Sequence, residues 1–401
     1  MDAIVIIGAG EAGTRAAFTL RETGFAGNIT LVGTEPHPPY ERPPLSKPLE
    51  GAVRMKPICA DGALEAARIS YRQGVSATRI DAKGRTVRLD DGQVLGYDRL
   101  LLATGAQPRT LACPGAGQAL NFRTHADAEA IFSRADSGAR VAIIGGGLIG
   151  MELAAVLRGK GLMVSVIEAA ARPLGRAVPP RFAEKIHARH RDEGVHFHLG
   201  QGVADITPEA VLLTDGERVP ADIVVSAIGV VPNIALAEAA GLATGNGILT
   251  DAFLCTSDPD IFAAGDCAAV SQAVGGHIRF ESWRNARHQA EIAARNSLGA
   301  NEAFAALPWF WSDQYDLGLQ VAGLLQPGHQ SVIRPLGDGE LEFFLEDGQL
   351  VAAAGLGVGN TVARDIKLAE MLIAAGINPD PESLADPGVN LKTLLKSARA
   401  A

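Results

Sequence analysis

The chain has 401 residues, with 36 Lys plus Arg against 45 Asp plus Glu and a formal net charge of −9. That length calls for two or three domains rather than one small module, and that charge excludes broad phosphate-backbone binding, so nucleic acid is not an expected partner. Apolar residues at 47% and charged residues at 20% exclude an intrinsically disordered chain, and 46 glycines without a collagen period point to turns and phosphate-binding loops.

In chain order, residues 3–7 form a β-branched run that predicts a buried strand, followed at once by Gly8-Ala9-Gly10-Glu11-Ala12-Gly13 and a helix-like stretch over 14–23. A second strand over 28–35 ends in the acid Glu35. Residues 97–104 read as a strand closed by Gly105-Ala106-Gln107-Pro108, a domain crossing. The same grammar then returns: strand 140–144, the loop Gly145-Gly146-Gly147-Leu148-Ile149-Gly150, helix 151–160, and strand 163–168 ending in Glu168. Residues 221–227 predict another buried strand, closed by Ile228-Gly229-Val230-Val231-Pro232-Asn233. Residues 109–232 are therefore expected as one domain inserted into a discontinuous first domain made of 1–108 and 233–306. In the returning part, residues 260–266 predict a strand that places Asp266 where a helix should begin, and a long helix follows over 282–298. From residue 307 the texture changes to three short strands near 317–322, 330–334 and 341–345 and a helical tail, a third domain over 307–401. The fold class is α/β: two Rossmann-like dinucleotide-binding domains plus a C-terminal mixed α+β domain.

A single G-x-G-x-x-G is weak evidence, but here both copies follow a strand, open a helix and precede an acid about 20 residues on, the context a dinucleotide requires. Gly8 and Gly145 permit the tight turn, Gly10 and Gly147 let backbone approach a pyrophosphate, and Gly13 and Gly150 let helix pack on strand. The phosphates then meet unpaired N–H groups at helix N-termini. Glu35 and Glu168 are placed to accept hydrogen bonds from an adenosine ribose, and a carboxylate at 168 favours NADH over NADPH by repelling a 2'-phosphate. Two such sites suit a flavin and a nicotinamide. Asp266, placed to bind the flavin ribitol, belongs with the N-terminal domain and assigns FAD to the first loop.

Tyr40 to Lys47, Leu102 to Gly105, Ile228 to Asn233, Phe262 to Cys267, Glu281 to Ala286 and Pro308 to Gln314 together carry a resemblance over essentially the whole chain. It resembles the FAD- and NADH-dependent ferredoxin reductases of Rieske-type ring oxygenases and bacterial haem-thiolate monooxygenases, glutathione-reductase-like relatives of putidaredoxin reductase. The resemblance implies that Arg42, Lys47, Ala103, Thr104, Gly105 and Asp266 contact FAD, with Trp311 lining it from the C-terminal domain. It also implies that Lys47 pairs with Glu152 as the catalytic pair, and that Ile149, Glu152, Arg176, Gly229 and Glu281 lie along the NAD site.

The implied reaction carries hydride from NADH to FAD and electrons singly to a small two-iron two-sulfur ferredoxin that supplies an oxygenase in aromatic hydrocarbon catabolism. Cys59, Cys113, Cys255 and Cys267 are too far apart for a redox pair or an iron-sulfur cluster, so the electrons must leave the chain. An acidic ferredoxin calls for a local basic patch, with Arg284, Arg287 and Arg295 on one helix and Lys392, Lys396 and Arg399 in the tail as candidates. Two other readings stay open: direct reduction of a quinone, monodehydroascorbate or rubredoxin, and a redox-controlled binding role. The expected setting is cytoplasmic, away from membranes, as a monomer or weak dimer; no metal is expected.

Overall fold

The alternation of Ile4 and Ile6 with Val5 and Ile7 gives the first strand two apolar faces, which suits a parallel strand buried on both sides. In the computed structural model, which describes residues 1–47, 53–175, 177–272 and 275–400 (397–400 by backbone alone), this strand is the centre of a five-stranded parallel sheet. The order is Ile261–Ala263, Arg99–Leu102, Ala3–Ile7, Asn28–Gly33 and Ile69–Gln73. One face packs Ile4, Ile6, Ile29 and Leu31 against the helices Glu11–Glu22 and Trp283–Ser297. The other packs Val5, Ile7 and Val32 against the antiparallel strands Ala77–Asp81, Thr86–Leu89 and Val94–Gly96. These elements belong to a compact unit of Met1–Pro44, Arg54–Gln107 and Val230–Ala306.

The second unit comprises Leu45–Val53, Pro108–Gly229 and Leu307–Ala401. Its parallel sheet has the order Leu120–Asn121, Ile223–Ser226, Arg140–Ile144, Met163–Glu168 and His196–Leu199, with the helices Leu148–Gly159 and Pro180–Asp192. The C-terminal segment forms a five-stranded antiparallel sheet ordered Trp309–Gln314, Leu317–Gly323, Gln349–Val358, Gly339–Glu346 and Gln330–Leu336. Three of these strands were expected. Trp309–Gln314 and Gln349–Val358 were not, because the first mixes aromatic with polar residues and the second is a run of Ala and Gly, neither of which gives a strand pattern.

Period two again explains the packing. Val321, Phe344, Ala352 and Ala354 join the core of the second dinucleotide fold, while Ala322, Phe343, Leu345 and Ala353 face the C-terminal helices Ala363–Ala374 and Leu391–Ala400. One expectation fails here: no helix begins at Asp266. Gly265 has φ +84° and its carbonyl accepts from Ala268 N at 2.9 Å, so the chain turns at once into strand Ala268–Ser271.

Candidate active site

The two glycine loops have the same geometry. Gly8 and Gly145 sit at φ +109° and +107°, and a Cβ there would lie 2.0 Å from Ala103 O or 2.5 Å from Ala227 O. A Cβ on Gly13 or Gly150 would lie 1.7 Å from Gly8 O or 2.0 Å from Gly145 O. Gly10 and Gly147 differ: their φ values of −77° and −76° are open to any residue and nothing lies within 4 Å of an added Cβ. Folding does not require glycine at these two positions. Each is a helix N-cap without a side-chain cap, leaving first-turn N–H groups for an outside acceptor. An open cradle beside uncapped donors is what a pyrophosphate fits.

The residues around each loop are gathered by the sheets. Ala103, Thr104 and Gly105 follow strand Arg99–Leu102 against Gly8, and Thr104 Oγ1 donates to Asn233 O at 2.7 Å while Asn233 Nδ2 donates to Thr104 O at 2.8 Å. Gly229, at φ +93°, follows strand Ile223–Ser226 on the second loop's side. Glu168 accepts from Gly146 N at 2.7 Å and from Ala170 N at 2.8 Å, so its carboxylate holds the loop at the strand's end. Glu35 accepts from Arg42 Nη2 at 2.6 Å and from the Tyr40 hydroxyl, which brings two expected FAD contacts into one ion pair. Asp266 stands in a turn whose carbonyl accepts from Arg279 Nη1 at 3.0 Å, and Arg279 also pairs with Glu281 at 2.7 Å. Ile149 exposes 45% of its surface in the first turn after Gly147. Arg176 lies outside the described residues.

Within the second unit, Lys47 and Glu152 come together differently from expectation. Lys47 Nζ is 4.0 Å from Glu152 Oε1 but 2.6 Å from Asp313 Oδ2, and it lies 5.6 Å from the Trp311 ring centroid. Glu152 is 6% exposed, and its two oxygens accept from Ser312 Oγ and Ser46 Oγ, each at 2.7 Å. Burial pushes its carboxyl above the usual carboxylate range, against the pull of Lys47 and the two hydroxyls. Trp311 stacks on Trp309 at 5.3 Å and 23°. Reading the sequence missed Ser46, Ser312 and Asp313 as partners; the signal available was Ser312 and Gln314 alternating with Trp311 and Asp313 along one strand.

The basic patch is also altered. Arg287 Nε is 3.3 Å from a Glu291 oxygen that also lies 2.8 Å from Arg15 Nε, and Arg295 Nε is 2.7 Å from Glu302, so acids on or beside the helix pair with Arg287 and Arg295. Lys392 and Lys396 are exposed on helix Leu391–Ala400, which buries Leu391 and Leu395. All four cysteines are free, and burial raises every thiol pKa, which disfavours the reactive thiolate.

Residues 2–290 match the pyridine nucleotide-disulphide oxidoreductase family, and residues 309–395 match the reductase C-terminal family. The chain belongs to the first family and carries the second as its C-terminal domain. Membership makes it a flavoprotein oxidoreductase working with FAD and NAD(H). It is 44% identical to the ferredoxin--NAD(+) reductase component of the anthranilate 1,2-dioxygenase system of Burkholderia cepacia, over 98% of this chain and 99% of that one. It is similar to the ferredoxin reductase for the CYP199A2 system from Rhodopseudomonas palustris, at 36% identity and TM-score 0.93 over 98% and 99% of the two chains. It is likewise similar to the reductase of the covalent putidaredoxin reductase–putidaredoxin complex, at 35% identity and TM-score 0.93 over 100% and 99%. Despite the family's title, this oxidoreductase has no cysteine pair for disulphide chemistry. Among the described residues no helix is long and apolar enough to cross a membrane.

Proposed function

We propose that this flavoprotein is the NADH-oxidising component of an oxygenase system, passing electrons singly to a two-iron two-sulfur ferredoxin. The observation that carries the reading is end-to-end similarity, in both domains, to reductases named for that role. FAD supplies the conversion of a two-electron hydride into single electrons. The chain's residues bind and orient. The uncapped helix N-termini after Gly10 and Gly147 would hold the pyrophosphates of FAD and NADH, and Glu168 would orient the NADH ribose. Lys47 would present positive charge to the flavin, Glu152 and Asp313 would hold that ammonium, and Trp311 would exclude water. The exposed Ile149 would be covered by bound nucleotide. Hydride transfer needs no general acid, which agrees with a site built from charges and hydrogen-bond donors.

The exposed Lys392 and Lys396 are the better candidates for ferredoxin docking, since Glu291 and Glu302 pair with Arg287 and Arg295. The test is NADH-driven reduction of cytochrome c by FAD-loaded protein, with and without a two-iron ferredoxin. Turnover should require ferredoxin, fall with NADPH as donor, and weaken in Lys392→Glu/Lys396→Glu while flavin bleaching by NADH stays intact. Bleaching with no effect of ferredoxin would replace the reading with direct reduction of a small acceptor; no bleaching would point to the binding role.

A further inference from the structure

Glu152 is the inner end of a buried chain of hydrogen bonds that its pairing with Lys47 does not explain. Ser312 Oγ lies 2.7 Å from Glu152 Oε1, Gln314 Nε2 lies 3.1 Å from Ser312 Oγ, and His190 Nε2 lies 2.8 Å from Gln314 Oε1. The Tyr315 hydroxyl closes the outer end, 3.4 Å from His190 Nδ1. Exposure is 0% for His190, 2% for Gln314 and 1% for Ser312, so water cannot substitute for any inner link. The members come from three elements of one unit: helices Leu148–Gly159 and Pro180–Asp192, and strand Trp309–Gln314 with the residue after it.

The chemistry of each group fixes the direction of the chain. An ionised carboxylate only accepts, so Ser312 must give its proton to Glu152 and receive one from elsewhere. An amide NH2 only donates, so Gln314 Nε2 supplies it, which turns Gln314 Oε1 toward His190. A carbonyl only accepts, so His190 must carry its proton on Nε2 and leave Nδ1 as a lone pair for Tyr315. With Glu152 ionised, this is the polarity that satisfies every atom. Protonating Glu152 on Oε1 sets its O–H against that of Ser312, whose oxygen already accepts from Gln314, and protonating it on Oε2 requires the Ser46 hydroxyl to turn, so either proton costs a donation that the carboxylate receives.

We propose that His190, acting through Gln314 and Ser312, is a positioning residue that fixes Glu152 as an ionised acceptor opposite Lys47. The inference rests on the reading that Glu152 and Lys47 serve the flavin site. Burial lowers the pKa of His190 to about 4, so the ring stays neutral, with a definite tautomer, at neutral pH. The groups facing it are His187, Arg189, Glu193 and Tyr315, and those facing Glu152 are Lys47 and Asp313.

The test uses FAD-loaded protein, with two readouts on Gln314→Met, which keeps the length of the side chain and removes both links. Ring-nitrogen NMR should show His190 solely as the Nε2–H tautomer in the wild type and lose that preference in Gln314→Met. Infrared titration of the Glu152 carboxyl band, assigned by its loss in Glu152→Gln, should show a midpoint about one pH unit higher in Gln314→Met, the effect of weakening one donor to a charged group. Ser312→Ala should raise the midpoint likewise and, by removing the acceptor that orients the Gln314 amide, weaken the His190 tautomer preference; the two effects together decide the matter if Gln314→Met does not fold. An unchanged midpoint or an unchanged tautomer in Gln314→Met, or either of them unchanged in Ser312→Ala, overturns the proposal. A Glu152→Gln variant that takes hydride from NADH as fast as the wild type, with the tautomer and midpoint shifts present, would instead overturn the assigned role of Glu152 and leave the chain standing.

Discussion

At the scale of single residues, the glycines of each loop divide into those whose added methyl would meet backbone and those whose added methyl would meet nothing. An added methyl at Gly13 meets the Gly8 carbonyl oxygen at 1.7 Å, backbone against backbone, so Gly13→Ala must displace the loop. At Gly10 nothing lies within 4 Å and φ is −77°, so Gly10→Ala should change apoprotein stability by no more than about 1 kcal/mol. We expect Gly10→Ala to melt with the wild type after FAD removal yet retain little flavin on gel filtration. Full flavin retention would show that the space beside Gly10 is not a phosphate cradle. The motif marked all three positions in the sequence, but their different reasons are legible only in the contacts.

At the scale of elements, the C-terminal sheet depends on both of its faces. Ile366, fully buried on helix Ala363–Ala374, packs among Leu341, Phe343 and Ala353. Ile366→Ala should cost roughly 2–5 kcal/mol through lost burial and a cavity. Urea unfolding followed by Trp309 and Trp311 fluorescence measures it, and a loss below about 1 kcal/mol would mean that the helix does not support the sheet. The helix was visible in the sequence as a tail of helical period, but strand Gln349–Val358 was not. Its Ala and Gly residues leave room for neighbours: a Cβ on Gly355 would lie 2.8 Å from Leu341 and 2.9 Å from Val362. Such a strand is specified by what packs on it, which no local pattern records.

At the scale of the whole molecule, burial of a neutral histidine ties stability to pH. The pKa of His190 is lowered from 6.5 to about 4 by burial, so on acidification the unfolded chain takes up the proton first. The contribution is complete above pH 6.5 and is lost as pH falls from 6.5 toward 4, a total of about 3 kcal/mol. Melting temperature should therefore fall between pH 7 and pH 5, and His190→Gln should narrow that fall. Parallel pH profiles for the two proteins would show that His190 titrates alike folded and unfolded.

The sequence by itself determined the two strand–loop–helix units and the acids at or just after the ends of their second strands, because glycine turns and β-branched strands are local signals whose spacing survives without the fold. Even the expectation that Lys47 pairs with Glu152 came from resemblance rather than spacing. Only the tertiary structure decided that Lys47 meets Asp313 more closely than Glu152, that Glu291 and Glu302 pair with the arginines beside them, and that Ser46, Ser312, Gln314 and His190 converge on one buried carboxylate. These contacts join residues far apart in the chain, and a buried charge chooses its partners by proximity in space after the core has packed.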